Sequence, residues 1–253
     1  DRACGHQHER EPAVAHDVGG DRRAGSIEAR GRHPREQPQA QRDLHLARAS
    51  GARYHAAHIS TAASVEAIRR AKQEGLRVTC DTAPPYFSLN ENEIGDYRTF
   101  AKLSPPLRGE SDRRAIAAGL ADGVIDCIAS DHAPHDVESK RVPFAQAEAG
   151  IVGLETLLPI SLEPYHKGAL SLLAALRCLT ARPADILGLP QGRLAKGAPA
   201  DMVLLDLDRP HKIDVAKFRC KSKNSPYDGR PVQGCVLKTF VDGRLVYSAE
   251  GER

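Results

Sequence analysis

Residues 53–82 read RYHAAHISTAASVEAIRRAKQEGLRVTCDT, and this stretch decides the fold. Residues 53–59 form a short apolar-polar run that predicts a strand. Ser60 offers an N-cap, and Val65, Ile68 and Ala71 share one helical face over AASVEAIRRAKQEG. Gly75 falls where a helix stops, and LRVTCDT (76–82) predicts the next strand. Strand, helix and strand with short joints make a βαβ unit, which requires a parallel sheet.

Toward the C-terminus the cycle repeats. A strand is predicted at 99–103, then a helix over SDRRAIAAGLADG opened by Ser111, then the strand VIDCIAS at 124–130. The apolar run of that last strand suits burial on both faces. Repeated βα units with ligand-type residues at strand ends predict a (β/α) barrel, whose active sites lie at the C-terminal ends of the strands. After helices near 170–180 and 183–188, ADMVLLDL and VLKTFVDGRLVYS read as strands, with Asp242–Gly243 at a two-residue hairpin turn. The expected organisation is therefore an incomplete barrel over 51–190 and a small β-domain over 191–253.

Toward the N-terminus the pattern fails. Residues 1–50 hold nine arginines and five members of the Val, Ile, Leu, Met, Phe and Trp set: Val14, Val18, Ile27, Leu44 and Leu46. No period links those five. Such a segment cannot bury enough apolar surface to offset its ordering entropy, so it is expected to be irregular or disordered, or to lie outside the gene's native frame.

The whole chain has 253 residues, 41% hydrophobic and 27% charged, with a net charge of +3. Those values are ordinary for a globular protein able to bury a core. The basic N-terminal stretch has no interleaved aromatic residue to stack on bases, so nucleic acid is excluded as a partner. No apolar run reaches a membrane span and no signal-peptide pattern opens the chain, which predicts a cytoplasmic protein. Six scattered cysteines without a CxxC pair read as reduced thiols.

Two clusters carry chemistry. SDHAPH, Ser130–His135, follows a buried strand and places an acid and two imidazoles where they can bind a metal, activate its water or hold an anionic substrate. A polar loop with a capping Asp is the plain alternative. The second cluster is His55-Ala-Ala-His58 at the end of the first strand. Residues three apart in a strand face opposite ways, so these imidazoles are not expected to chelate one ion together. One can be a ligand while the other is structural.

Beyond these clusters, HAAHIST, VTCDTAPPYFSLNE, AKLSPPLR, IASDHAPH, GIVGLETLLP and GRLAKGAPADMVLLD follow one another in an order that resembles class I dihydroorotases of the amidohydrolase superfamily. The resemblance covers about residues 52–248. It implies a metal-dependent-hydrolase barrel of the (β/α)8 TIM type, zinc as cofactor, and reversible hydrolysis of dihydroorotate to N-carbamoyl-aspartate. It maps a metal-binding histidine onto His58, and a metal-contacting general acid/base onto Asp131. His135 corresponds to a substrate-carboxylate ligand, and Ala149 and Gly150 to backbone that contacts the ring. It further implies a homo-oligomer and a possible partnership with aspartate transcarbamoylase.

The departures bear on activity. Where that family commonly carries Pro-His-His with a metal histidine, this chain reads Pro84-Pro85-Tyr86, and neither Pro nor Tyr replaces imidazole at zinc. Ser104 stands where a substrate-binding asparagine precedes PPLR. The family's opening HxH pair and its carboxylated lysine precede the HIST strand by up to about a hundred residues, against 58 residues here. His6-Gln7-His8-Glu9-Arg10-Glu11-Pro12 imitates that opening motif, but no apolar strand leads into it, so it reads as coincidence. A weakly active, truncated chain is expected. The alternatives are an allantoinase- or hydantoinase-type enzyme, separable by a substrate panel, and a non-catalytic subunit scaffolding aspartate transcarbamoylase, separable by metal content.

Overall fold

The computed structural model describes residues 36–249. The unit that decides the fold forms as a parallel ladder. β1 (Tyr54–Ala56) pairs with β2 (Val78–Thr82) in the register Tyr54↔Val78 to Ala56↔Cys80, and α2 (Ala62–Gln73) crosses between them. β2 pairs in turn with β3 (Cys127–Ile128) through Asp81↔Cys127 and Thr82↔Ile128. The predicted strand 124–130 is shortened at its start. There the Asp126 carboxylate accepts from the Cys80 N–H and from Lys72 Nζ, a side-chain continuation of the ladder.

The core behind this sheet is helical. α2 buries Val65, Ile68 and Ala71, the three positions its period marks. α4 (Glu110–Ala121) buries Ile116 and Leu120. Each such aliphatic side chain contributes about 1.5–3 kcal/mol on full burial. Gly119 lets the two helices close up: a Cβ there would stand 3.1 Å from Val65 Cγ1 and 3.2 Å from Ile125.

Several local expectations shift. The cap of α2 is Thr61, whose hydroxyl accepts from Ser64 N, because Ser60 turns inward toward Glu36. α4 begins after Gly109, with Ser111 inside its first turn. The predicted strand 99–103 is instead a 3₁₀ turn, Thr99–Ala101. Ala101 and Leu103 are buried as a strand pattern demands, yet Lys102 reaches across to the carbonyls of Phe144, Ala145 and Ala147, and Pro105 and Pro106 offer no N–H for a ladder.

The larger correction concerns the segment read as lacking a core. α1 (Glu36–Ser50) is a helix that buries Ala40, Leu44 and Ala47 at helical spacing. Two of those three are alanines, so a search for large aliphatics passes over them. Glu36 anchors its start, accepting from Ser60, Thr61, Ser64 and Arg108. The HxHxREP-like motif at 6–12 lies outside the described residues.

α3 (Pro84–Ser88) follows β2, and C-terminal to β3 lie α5 (Val137–Lys140), α6 (Leu157–His166), α7 (Leu172–Leu179) and α8 (Ala181–Leu187). A separate antiparallel sheet, β4 (Met202–Lys212), β5 (Pro231–Val241) and β6 (Arg244–Ser248), follows in that order. Asp242 and Gly243 form its expected hairpin turn, with φ of 49° and 75°, as the type that matches strand twist requires.

Candidate active site

The C-terminal edge of the parallel sheet gathers the chemistry. His58 follows β1, Asp81 closes β2, and Asp131 follows β3. The two histidines of HAAH meet at a carboxylate, which the alternation argument does not foresee. β1 ends at Ala56, and His58 has a φ of 53°, which swings its ring back toward β2. Asp81, buried to 6% exposure, takes both rings: His55 Nε2 donates to Oδ2 at 2.8 Å and His58 Nδ1 to Oδ1 at 2.9 Å. The His58 backbone N–H donates to the same Oδ1 at 2.8 Å.

Burial opposes a charged Asp81, but the hydrogen bonds from His55 and His58 outweigh it and hold the carboxyl at a pKa of about 2. Burial likewise opposes a charged His58, yet Asp81 and Asp131 outweigh it and raise its pKa above the usual value. Asp131 moves upward as well, mainly through burial, with His58 and Tyr86 pulling the other way. Its φ is 46°, so both members of the pair sit in the left-handed region. Such geometry costs about 1–3 kcal/mol per non-glycine residue and is concentrated at functional sites.

His58 Nε2 faces Asp131 Oδ1 at 3.7 Å. With Nδ1–H committed to Asp81, a neutral His58 presents a lone pair to a carboxylate, and two acceptors face each other. A cation resolves that conflict, either a proton on Nε2 or a metal bound by both. Zinc binds imidazole nitrogen and carboxylate oxygen at about 2.0–2.2 Å each, so 3.7 Å is within reach of a shared ion. The pair therefore fits as part of a metal site. Among the described residues, no group of three or more His, Cys, Asp or Glu side chains is arranged around one ion.

Tyr86 occupies the neighbourhood where a further imidazole was missed. It is 2% exposed, its hydroxyl donates to the Pro105 carbonyl at 2.9 Å, and the negative charge of Asp131 acts on it. Burial first, and Asp131 second, push its pKa well up. Ser104, by contrast, is exposed in the adjoining loop, next to Pro105.

A second group forms beside the first. His135 Nε2 lies 3.0 Å from the Ala149 carbonyl oxygen, and a Cβ on Gly150 would meet His135 Nε2 at 3.0 Å and Ala133 Cβ at 2.5 Å. Gly150 has a φ of 135°, so only glycine suits this close approach. His135, Ala149 and Gly150 are thus brought together. Asn224 staples them: its amide donates to the Ala133 and Gly150 carbonyls at 3.0 and 3.1 Å. His132 faces elsewhere, Nδ1 accepting from the Gly153 N–H at 3.1 Å. Sequence reading alone does not mark Asp81 or Asn224, and it marks Tyr86 only as a departure from the family pattern. Of the two unmarked residues, only Asp81, the one charged residue of the strand VTCDT, carries a local signal.

A barrel-type parallel sheet with His and Asp donors at its C-terminal edge is the arrangement of a metal-assisted hydrolase. The sequence matches the amidohydrolase family over residues 5–246, and the chain belongs to that family, whose members are generally metal-dependent. Within it, the chain is 53% identical over 210 residues to a protein named dihydroorotase from Anaplasma phagocytophilum, covering 83% of this chain and 47% of the relative. It is 49% identical over 209 residues to a dihydroorotase of Desulforapulum autotrophicum, covering 83% of this chain and 49% of the relative. The chain spans about half the length of the curated relatives it matches.

Solved structures agree on the fold. L-hydantoinase from Arthrobacter aurescens superposes with a TM-score of 0.80 at 34% identity, over 84% of this chain and 48% of that one. Dihydropyrimidinase from Brevibacillus agri gives 0.79 at 26% identity, over 84% and 48%.

Proposed function

We propose that this chain carries part of a dihydroorotase active site, acting on dihydroorotate and N-carbamoyl-aspartate. The single observation that carries the reading is the His58–Asp131 pair at 3.7 Å on the C-terminal edge of the sheet. The relatives named dihydroorotase, at about half identity, support the substrate assignment.

His58 Nε2 and the Asp131 carboxylate would hold a zinc ion. When bound, zinc supplies Lewis-acid chemistry, polarising the ring amide carbonyl and acidifying water. Asp131, raised in pKa by burial, is suited to take a proton from the attacking water and return it to the leaving ring nitrogen. His135 and the Ala149–Gly150 backbone offer the carboxylate and ring contacts. Ser104 lies two residues beyond Lys102, whose carbonyl accepts from the Gly150 N–H at 2.9 Å. Among the described residues, two donors fall short of the three protein ligands that a catalytic zinc normally has, and these two alone would support low activity. A hydantoinase-type substrate is the second reading, favoured by the structural likeness to L-hydantoinase at 34% identity.

The test is a substrate panel of dihydroorotate, hydantoin and allantoin on the zinc-supplemented chain, with Asp131→Asn alongside. Loss of a positioned acid/base costs about 10²–10⁴ in rate. Turnover of dihydroorotate that survives Asp131→Asn, normalised to folded protein, would remove Asp131 from the mechanism. Turnover of hydantoin alone would move the assignment to the second reading.

A further inference from the structure

The two histidines of HAAH and the buried aspartate of VTCDT form one connected unit, and we infer that Asp81 is a positioning residue that fixes the ring of His58 so that Nε2 is the atom offered for ligation. The inference rests on the proposed metal site at His58 and Asp131.

The argument begins with what a carboxylate can do. An ionised Asp81 is an acceptor only, so each imidazole nitrogen facing it must carry the hydrogen. His58 is thereby held as the Nδ1–H form, with its Nε2 lone pair toward Asp131. The same oxygen takes the His58 backbone N–H, so one atom fixes both ends of the residue. That clamp matters because His58 sits at a φ of 53°, a conformation a free chain rarely adopts.

The carboxylate is itself held. His55 Nε2 donates to Oδ2, and His55 Nδ1 meets Thr79 Oγ1 at 2.8 Å. With Nε2 protonated, His55 Nδ1 is an acceptor and the Thr79 hydroxyl donates. The chain of donors runs Thr79 to His55 to Asp81, with His58 entering from the other side. Both oxygens of Asp81 are engaged, so it orients the ligand rather than joining it. His55 thereby acquires a role: it stops the carboxylate from rotating.

The experiment is ¹⁵N spectroscopy of the His58 ring, above the pH at which it titrates, in the wild type and in Asp81→Leu. The wild type should show Nδ1 protonated and Nε2 bare, and Asp81→Leu should lose that preference. A wild-type ring with its proton on Nε2 overturns the inference without any variant. An unchanged tautomer in Asp81→Leu also overturns it. Zinc titration by chelator competition gives the second reading: Asp81→Asn, which keeps the shape, should weaken zinc about 10–100-fold, the usual effect of removing a partner behind a metal ligand. A wild type that shows the Nδ1–H form but binds no zinc sustains the positioning role and removes the metal reading, so the two failures separate.

Discussion

Tyr86 shows how a single residue can replace an expected one without replacing its chemistry. Its ring is buried under the influence of the Asp131 charge, and its hydroxyl serves the Pro105 carbonyl. Tyr86→Phe keeps the packing and strips the Pro105 carbonyl of a buried donor. Leaving buried groups unpaired costs about 1–3 kcal/mol each, so urea unfolding should show a loss in that range. A loss near zero would mean that water replaces the hydroxyl. At this scale the sequence was legible where a motif carried its own geometry: SDHAPH announced Asp131 and His135 by placing acid and imidazole after a buried strand. HAAH is legible only in part: alternation separates the two histidines as ligands of one ion, but it assumes a strand that continues to His58 and so conceals that both rings reach Asp81. The positive φ that ends it leaves no trace in residue type, since histidine is not a residue that marks a left-handed turn by necessity.

At the scale of elements, the docking of α1 turns on Glu36. Its carboxylate accepts from Ser60, Thr61 and Ser64 and pairs with Arg108 at 2.9 Å, the guanidinium being 4% exposed. Burial disfavours the charge, but the hydrogen bonds from Ser60 and Ser64 and the Arg108 charge outweigh it and lower the pKa below the ordinary 4.5. A depressed acid stabilises the fold fully above its unfolded pKa, and that stability is lost as pH falls through the folded value. Glu36→Gln should therefore lower the melting temperature at pH 7 and flatten its decline below about pH 4.5. An equal acid decline in both proteins would show that Glu36 does not link α1 to pH. Amide exchange supplies a companion test: Leu44 and Ala47 should be protected, and free exchange there would restore the core-less reading of the segment. That reading failed for a physical reason. Alanines at 40 and 47 bury little area each, so the helix is held chiefly by one leucine and one buried carboxylate, and neither produces a visible period. α2, whose face is Val65 and Ile68, was legible at once.

For the whole molecule, the question is whether the two sheets stand as separate domains, as a boundary near residue 190 proposes. The links between them are specific. Tyr227, 1% exposed, shares a hydrogen bond with Ser88 of α3, and Asn224 ties the segment before β5 to the SDHAPH loop. Gly234 of β5 has a φ of 98° and lies so close to α6 that a Cβ would stand 2.5 Å from Leu162 Cδ1. Arg230, just before β5, makes a two-pronged contact with Glu163 of α6 at 2.9 and 3.0 Å, and Lys167 joins the same carboxylate. Contacts this close couple the sheets mechanically, so a single cooperative thermal transition is expected despite the change of architecture. Glu163→Ala tests the coupling. It leaves Arg230, 27% exposed, without its partner. Exposed pairs contribute up to about 1 kcal/mol and breaking buried ones costs about 3–5, so a half-buried pair should fall between. Calorimetry should show the antiparallel sheet melting earlier, as a shoulder or a second transition, with the parallel sheet nearly unmoved. If the wild type already melts in two independent steps, the links are too weak to join the domains. If Glu163→Ala lowers one undivided transition, the closeness of Gly234 to α6 carries the coupling and the ion pair only adds to it.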